Sequence, residues 1–400
     1  NWRILTMAGV ISRGVQGPII REGDDIVDIV VKSVYASEAE DNYSLKNRDI
    51  IAVTESVVAR AQGNYVTVDQ VAKDIAAKFP AKKLGLVFPI LSRNRFSMCL
   101  KGMARAMDEV VILFSYPNDE VGNPLMERSA YVKNRYSGVY DFEEAAFIDT
   151  FGSPVHPFTG VNYLDFYRQV IEAEGAKATF LFSNDCRYIA QFCDQILCCD
   201  IHTRNETRDT LAAMPGKTVY TLADVMAAPV DGSGYHDQYG LLGSNKATEE
   251  KLKLFPRSCQ PVVDAIQARI QKERGIQVEV MVYGDGAFKD PIGGIWELAD
   301  PVVSPAYTEG LEGTPNELKM KYFADNDLRD LSGAALAQAM REKIRAKDHD
   351  LKGQMASQGT TPRRFTDLLG SLCDLTSGSG DRGTPVVLVQ GYFTNFASED

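Results

Sequence analysis

The feature that most constrains this chain is the alternation of short β-branched apolar runs with amphipathic helical stretches. Asp49-Ile50-Ile51-Ala52-Val53-Thr54 is apolar between polar bounds, which predicts a buried strand. Leu84 to Phe88, Val110 to Phe114, Ala145 to Ile148, Val278 to Val282 and Pro385 to Val389 repeat that pattern. Between them, Thr67 to Phe79 places Val68, Val71, Ile75, Ala76 and Phe79 on one helical face, with Thr67 as N-cap. Tyr163 to Glu174, Pro261 to Arg274, Asp330 to Lys347 and Arg364 to Leu375 read as further helices. Strands alternating with helices predict an α/β fold with mixed α+β sheets.

The 400 residues exceed one minimal domain, since about 150 residues per domain is usual. The expected division is an N-terminal α/β core over 1–160, an expanded middle region over 161–355, and a C-terminal segment over 356–400 that completes the first core.

Several function classes are excluded early. Lys and Arg total 43 against 54 Asp and Glu, a net charge of −11, which argues against a nucleic-acid partner. No run approaches the roughly 20 apolar residues of a membrane-spanning helix. Seven cysteines are an odd and sparse set, and Asn1-Trp2-Arg3 shows no charged-then-apolar leader pattern. Reduced thiols and a cytoplasmic location are therefore expected. Cys186, Cys193, Cys198, Cys199 and His202 lack paired zinc-ligand spacing and lie among Ile189, Phe192, Ile196 and Leu197, so they read as buried thiols. Gly216-Lys217-Thr218 imitates the end of a phosphate-binding loop, but Leu211 stands where its first glycine belongs. With His156, His202, His236 and His349 the only histidines and no G-x-S-x-G, a serine hydrolase has no support.

The candidate chemistry lies at polar segments beside the strands. Gly23 makes a turn and Asp24 or Asp25 caps the helix from Ile26. Thr54-Glu55-Ser56 follows a buried strand and opens a helix, a geometry open to phosphate or to simple capping. Arg93, Arg95, Lys101 and Arg105 crowd into thirteen residues of an acidic chain. They form either an anion-binding cleft or a solvated basic face. Asp149-Thr150 follows the apolar Ala145 to Ile148 run, where a carboxylate and a hydroxyl suit a divalent cation or a turn. Gly284-Asp285-Gly286 leads to Lys289 and Asp290, two acids and a cation on a glycine-rich loop, open to metal and phosphate or to turn formation alone.

Gly17-Pro18-Ile19-Ile20-Arg21-Glu22-Gly23-Asp24-Asp25, the block from Asp49 to Gly63, Asp149-Thr150-Phe151-Gly152, and the stretch from Gly378 to Gly391 occur in one order. In that order they resemble the motifs of the coenzyme F(420)-0:L-glutamate ligases, also called γ-glutamyl ligases. The resemblance covers about residues 9 to 160 and 360 to 395. It implies an intertwined α/β homodimer with the site near the dimer interface. It also implies GTP or ATP and Mg²⁺ or Mn²⁺, used to convert a substrate carboxylate to an acyl phosphate that the amine of L-glutamate attacks. The acceptor is a carboxylate-bearing small molecule.

By resemblance Asp149 is a metal ligand, with Thr150 beside it, and Thr54, Ser56 and Arg60 face the nucleotide. The family's second metal-binding acid aligns with Ala104, so another carboxylate has to be recruited. Asp285 and Asp290, with Lys289 as a catalytic cation, are the expected source, and the Gly284 loop is expected to fold against the Asp149-Thr150 turn. The alternative is a non-catalytic sensor that holds a phosphorylated metabolite or nucleotide on Arg93, Arg95, Lys101 and Arg105.

Overall fold

A computed structural model describes residues 9–135, 138–286, 299–361, 363–378 and 381–398. Its strands are β1 (Ile11–Val15), β2 (Ile50–Thr54), β3 (Tyr65–Thr67), β4 (Lys83–Val87), β5 (Glu109–Phe114), β6 (Phe142–Glu143), β7 (Lys177–Phe182), β8 (Gln195–Cys198), β9 (Thr218–Thr221), β10 (Asn245–Thr248), β11 (Lys251–Lys253), β12 (Glu279–Tyr283), β13 (Ala306–Tyr307) and β14 (Val386–Gln390). Its helices are α1 (Ile26–Glu40), α2 (Glu55–Ala61), α3 (Val68–Lys78), α4 (Phe96–Ala106), α5 (Arg128–Asn134), α6 (Glu144–Phe151), α7 (Tyr163–Ala173), α8 (Arg204–Ala212), α9 (Gln260–Arg274), α10 (Met320–Asp325), α11 (Gly333–Arg345) and α12 (Phe365–Ser377).

The first sheet is mixed, in the order β1-β14-β2-β12-β13, with β2 and β12 parallel and the other pairs antiparallel. The pleat sends alternate residues to opposite faces. Ile51, Val53, Val280 and Val282 pack with Val30 and Val34 of α1 and Val263 and Ile266 of α9. Ile50, Ala52, Met281 and Tyr283 pack with Leu369 and Cys373 of α12 on the other face.

The second sheet runs β6-β7-β5-β4-β8-β9, with β7, β5, β4, β8 and β9 parallel. The chain builds outward from β4 through β5 to β7, then crosses to β8 and β9 on the other side. That is doubly wound, and the order reverses between β4 and β8. Side chains of α3, α4 and α7 cover one face, while Ile189 and Leu211, the latter from α8, cover the other. A small antiparallel sheet, β10-β11-β3, lies between these two parts in sequence.

Strands from the first 160 residues are shared between two sheets, and β12, from the expected middle region, sits between β2 and β13. Strand pairing is a long-range hydrogen-bond choice that composition along the chain does not mark. The end of the chain does return to the beginning, since β14 lies between β1 and β2.

Most local expectations hold. Asp25 accepts from the Asp28 amide at the start of α1, and Thr67 and Gln70 form a reciprocal capping box at α3. Ala145 to Ile148 is the exception, because it lies within helix α6. Glu144, Ala145 and Ala146 favour a helix, and Phe147 and Phe151 at i and i+4 give it one buried aromatic face. The seven cysteines are free thiols. Burial pushes Cys99 and Cys193 up to about 11, and no group of metal-holding Cys and His forms among the described residues. No helix among them is long and apolar enough to cross a membrane.

Candidate functional site

The parallel pairing of β2 and β12 brings Thr54 opposite Tyr283, so both strands end together. Glu55 therefore emerges beside Gly284, Asp285 and Gly286. Arg95, the N-cap residue of α4, reaches this place from the loop after β4. Its Nη1 donates to Asp300 Oδ1 and its Nη2 to Asp285 Oδ2, each at 2.7 Å. The Asp285 amide donates to Asp300 Oδ2 at 2.8 Å, and the Gly286 amide to Asp374 Oδ2 at 2.8 Å. Close by, Lys253 of β11 donates to both oxygens of Glu55 at 2.8 and 2.7 Å, with both residues buried.

Four carboxyls thus surround two cations. Burial and then the Asp300 charge push Asp285 up to about 7, against the pull of Arg95. Burial also raises Asp374, with the Gly286 amide opposing it. Glu55 is raised by burial despite Lys253. The Arg95 guanidinium is held firmly charged by Asp300 and Asp285 despite its desolvation. Glycine is required at 284, where a Cβ would lie 2.2 Å from Asp300 Oδ2.

Hard carboxylate oxygens are the donor type that Mg²⁺ and Mn²⁺ prefer, and such ions commonly take only one or two of them together with phosphate. Asp285 and Asp374, flanking the Gly286 amide, are the pair whose chemistry fits. No group of three or more His, Cys, Asp or Glu is arranged to enclose a metal by itself among the described residues.

A family model for F420-0:Gamma-glutamyl ligase matches residues 14–391. The chain belongs to the F420-0:γ-glutamyl ligase family. The match runs from the end of β1 through both large sheets to the residue after β14. No individual curated protein matches the chain.

Within this family frame the sequence-derived candidates separate. Asp285 and Arg95 meet directly. Thr54 ends β2 beside them, and Ser56 and Arg60 are exposed on α2, which starts at Glu55. Lys289 and Asp290 lie outside the described residues. Asp149 does not stand at a strand end. It is exposed on the last turn of α6, and the Thr150 hydroxyl donates back to the Ala146 carbonyl. Among the described residues no hydrogen bond or ion pair joins the Asp149-Thr150 turn to Gly284, Asp285 or Gly286.

The basic segment also divides. Lys101 pairs with Glu174 and Glu250, and Arg105 with Asp69, Glu174 and Glu250. Hydrogen bonds from Arg105 and Lys101 hold Glu250 down at about 2. Arg93 is exposed, and only Arg95 enters the acidic cluster. Ala104 is fully buried in the core face of α4.

Asp300, Asp374 and Lys253 were not among the sequence candidates, and Glu55 stood only within the Thr54-Glu55-Ser56 turn. Asp300 and Asp374 carry no local motif. Of these four, Glu55 alone lay in a sequence signal, the Thr54-Glu55-Ser56 opening directly after a strand.

Proposed function

We propose that the protein is a nucleotide- and metal-dependent γ-glutamyl ligase whose reacting groups assemble around Arg95, Asp285, Asp300 and Asp374. The observation that carries this reading is the surplus of carboxyls at the joined ends of β2 and β12, with Asp285 raised to about 7, within a chain of this ligase family. A carboxylate surplus of this kind is relieved by a divalent cation, and Asp285 and Asp374 are the residues that would hold it. Bound Mg²⁺ or Mn²⁺ would supply charge compensation for the phosphates of GTP or ATP.

Arg95 keeps the Asp285 carboxylate oriented through its forked pairing with Asp300. The burial around Asp300 excludes water that would hydrolyse an acyl phosphate. Thr54, Ser56 and Arg60 line the approach from α2 and suit the nucleotide. A carboxylate acceptor and L-glutamate complete the reaction, and the assembly in this reading is a homodimer. In this reading Asp285 and Asp374 hold the metal and Asp149, exposed on α6, does not.

The sensor alternative draws less support, because Arg95, Lys101 and Arg105 are already engaged by carboxylates. The test is glutamate-dependent phosphate release from GTP or ATP with Mg²⁺ or Mn²⁺ across a panel of carboxylate acceptors. Release that requires metal, glutamate and Asp285 supports the ligase. Tight nucleotide binding with no release under any combination overturns it.

A further inference from the structure

The loop that carries Arg95 is held by side chains from two other parts of the doubly wound unit. It leaves β4 at Phe88, whose φ of 52° lies in the left-handed region that residues other than glycine rarely adopt. The hydroxyl of Tyr167, on α7, donates to the Ile90 carbonyl at 2.9 Å and accepts from the Ser92 amide at 3.0 Å. Between those two contacts the Leu91 amide donates to Asp119 Oδ2 at 2.8 Å. Asp119, from the loop after β5, is itself fixed by the Asn123 amide at 2.7 Å and by Asn123 Nδ2 at 2.9 Å. Both side chains are buried, Tyr167 completely. Three consecutive residues thus have backbone groups bound by two buried polar side chains. The last of them, Ser92, accepts from the Arg95 amide through its Oγ at 3.0 Å.

A connection that only had to join β4 to α4 would not need these anchors, because loop backbone groups are readily satisfied by water or by a local turn. Arg95 is also a poor choice for its own position. It is the N-cap of α4 and makes no side-chain cap. It puts a cation at the end of the helix where the macrodipole favours an anion. The left-handed Phe88, the buried hydroxyl and carboxylate, and the uncapped helix start each run against local preference, a combination expected where a site dictates the geometry. They share one result. The Arg95 guanidinium stands between Asp285 Oδ2 and Asp300 Oδ1, 2.7 Å from each, while Arg93, two residues earlier, is exposed.

We propose that Tyr167 and Asp119 are positioning residues, which act through the backbone of Ile90, Leu91 and Ser92 to set Arg95 between Asp285 and Asp300. Their effect on activity rests on the ligase reading, whereas their effect on the geometry of the cluster does not. If the loop slackens, the guanidinium loses its place and Asp300 loses its charge partner. The Asp285 amide, which donates to Asp300 Oδ2 at 2.8 Å, then opens to solvent.

The test compares Y167F, D119N and S92A in the full chain, each in the parent and in an R95K background, with thermal melts to establish folding. R95K keeps the charge and removes the fork. Y167F keeps the ring that packs against Phe96 and Phe114. S92A removes only the hydroxyl that accepts from Arg95, so the measurement stands even where D119N does not fold. Amide hydrogen exchange without substrates is followed at Asp285 and, as a control, across α9. The expected result is at least fivefold faster exchange at Asp285 in each variant, with α9 unchanged. In R95K the Asp285 amide should already exchange fast, and a second substitution should change it less than twofold, because residues that act through Arg95 cannot add to its loss. In phosphate release, kcat should fall at least tenfold in Y167F and D119N with the KM for glutamate within twofold of the parent, again without further loss in R95K.

Unchanged Asp285 exchange in Y167F and S92A, acceleration that extends equally to α9, or losses that add in full to those of R95K would each overturn the proposal and leave Tyr167 and Asp119 as supports of the loop alone. Absence of phosphate release from the parent would remove the ligase reading, and the exchange result would still decide the positioning role. Release with full kcat in Y167F and D119N would overturn the positioning role and leave the ligase reading standing.

Discussion

Arg95 Nη1 and Asp300 Oδ1 meet at 2.7 Å and tie the loop after β4 of the doubly wound sheet to the wall of the mixed sheet. Asp300 is fully buried and the Arg95 side chain nearly so, at 16% exposure. A pair removed from water to this extent is costly to break from one side, because the remaining charge cannot be solvated. The same guanidinium also holds Asp285, so one residue orients two acids of the proposed site.

Replacing Arg95 by Met should therefore destabilise the protein by about 3–5 kcal/mol at pH 7. Urea unfolding measures it. A loss below about 1 kcal/mol, the range of exposed pairs, would mean that Asp300 and Asp285 are solvated in solution.

Asp285 makes a pH prediction with a definite sign. Between its ordinary value of 3.8 and about 7, the folded protein retains a proton that the unfolded chain has released. The native state binds more protons there, so this carboxyl's contribution to stability is fully present below pH 3.8, declines as pH rises through about 7, and then levels off. Asp285→Asn should remove that decline and gain about 3–4 kcal/mol at pH 8 relative to pH 4. Paired melting curves across pH for parent and variant read the difference, and parallel curves would contradict the raised value.

At Gly284 the contact is steric. A Cβ there would lie 2.2 Å from Asp300 Oδ2, and the Gly284 amide is already committed to the Val303 carbonyl. Gly284→Ala should force Asp300 aside and cost about 1–3 kcal/mol. Because Asp300 holds Arg95, phosphate release should fall together with stability. Full activity at unchanged stability would show that the turn relaxes freely.

Asp149 and Asp285 are separated by a fourth experiment on variants. Asp149→Asn alters an exposed position on α6, so its stability should stay within about 0.5 kcal/mol of the parent. Glutamate-dependent phosphate release should also persist in Asp149→Asn and be lost in Asp285→Asn. Loss in Asp149→Asn with Asp285→Asn active would return the metal-holding role to α6.

Much of the secondary structure was legible because its causes are local. Thr67 and Gln70 form their capping box within one turn, and the β-branched runs at Ile50–Thr54 and Val386–Gln390 are strands for reasons contained in those five residues. At Glu144–Phe151 the local evidence was misread, since a four-residue apolar run suits either a strand or a buried helical face, and helix-favouring Glu and Ala decide it. Asp285 and Arg95 were legible as unusual charges beside glycine and apolar residues, although 190 positions separate them.

By itself the sequence determined the α/β class, the main helices and strands, the acidic balance and the order of motifs that marks the ligase family. The tertiary structure alone decided that β12 pairs with β2, that Asp285 meets Arg95 and Asp300 rather than Asp149, and that Lys101 and Arg105 are neutralised by Glu174 and Glu250. The physical reason is the range of the interactions. Capping and periodicity act over one or two turns, whereas strand pairing and the burial of charge depend on which distant segments exclude water from the same place.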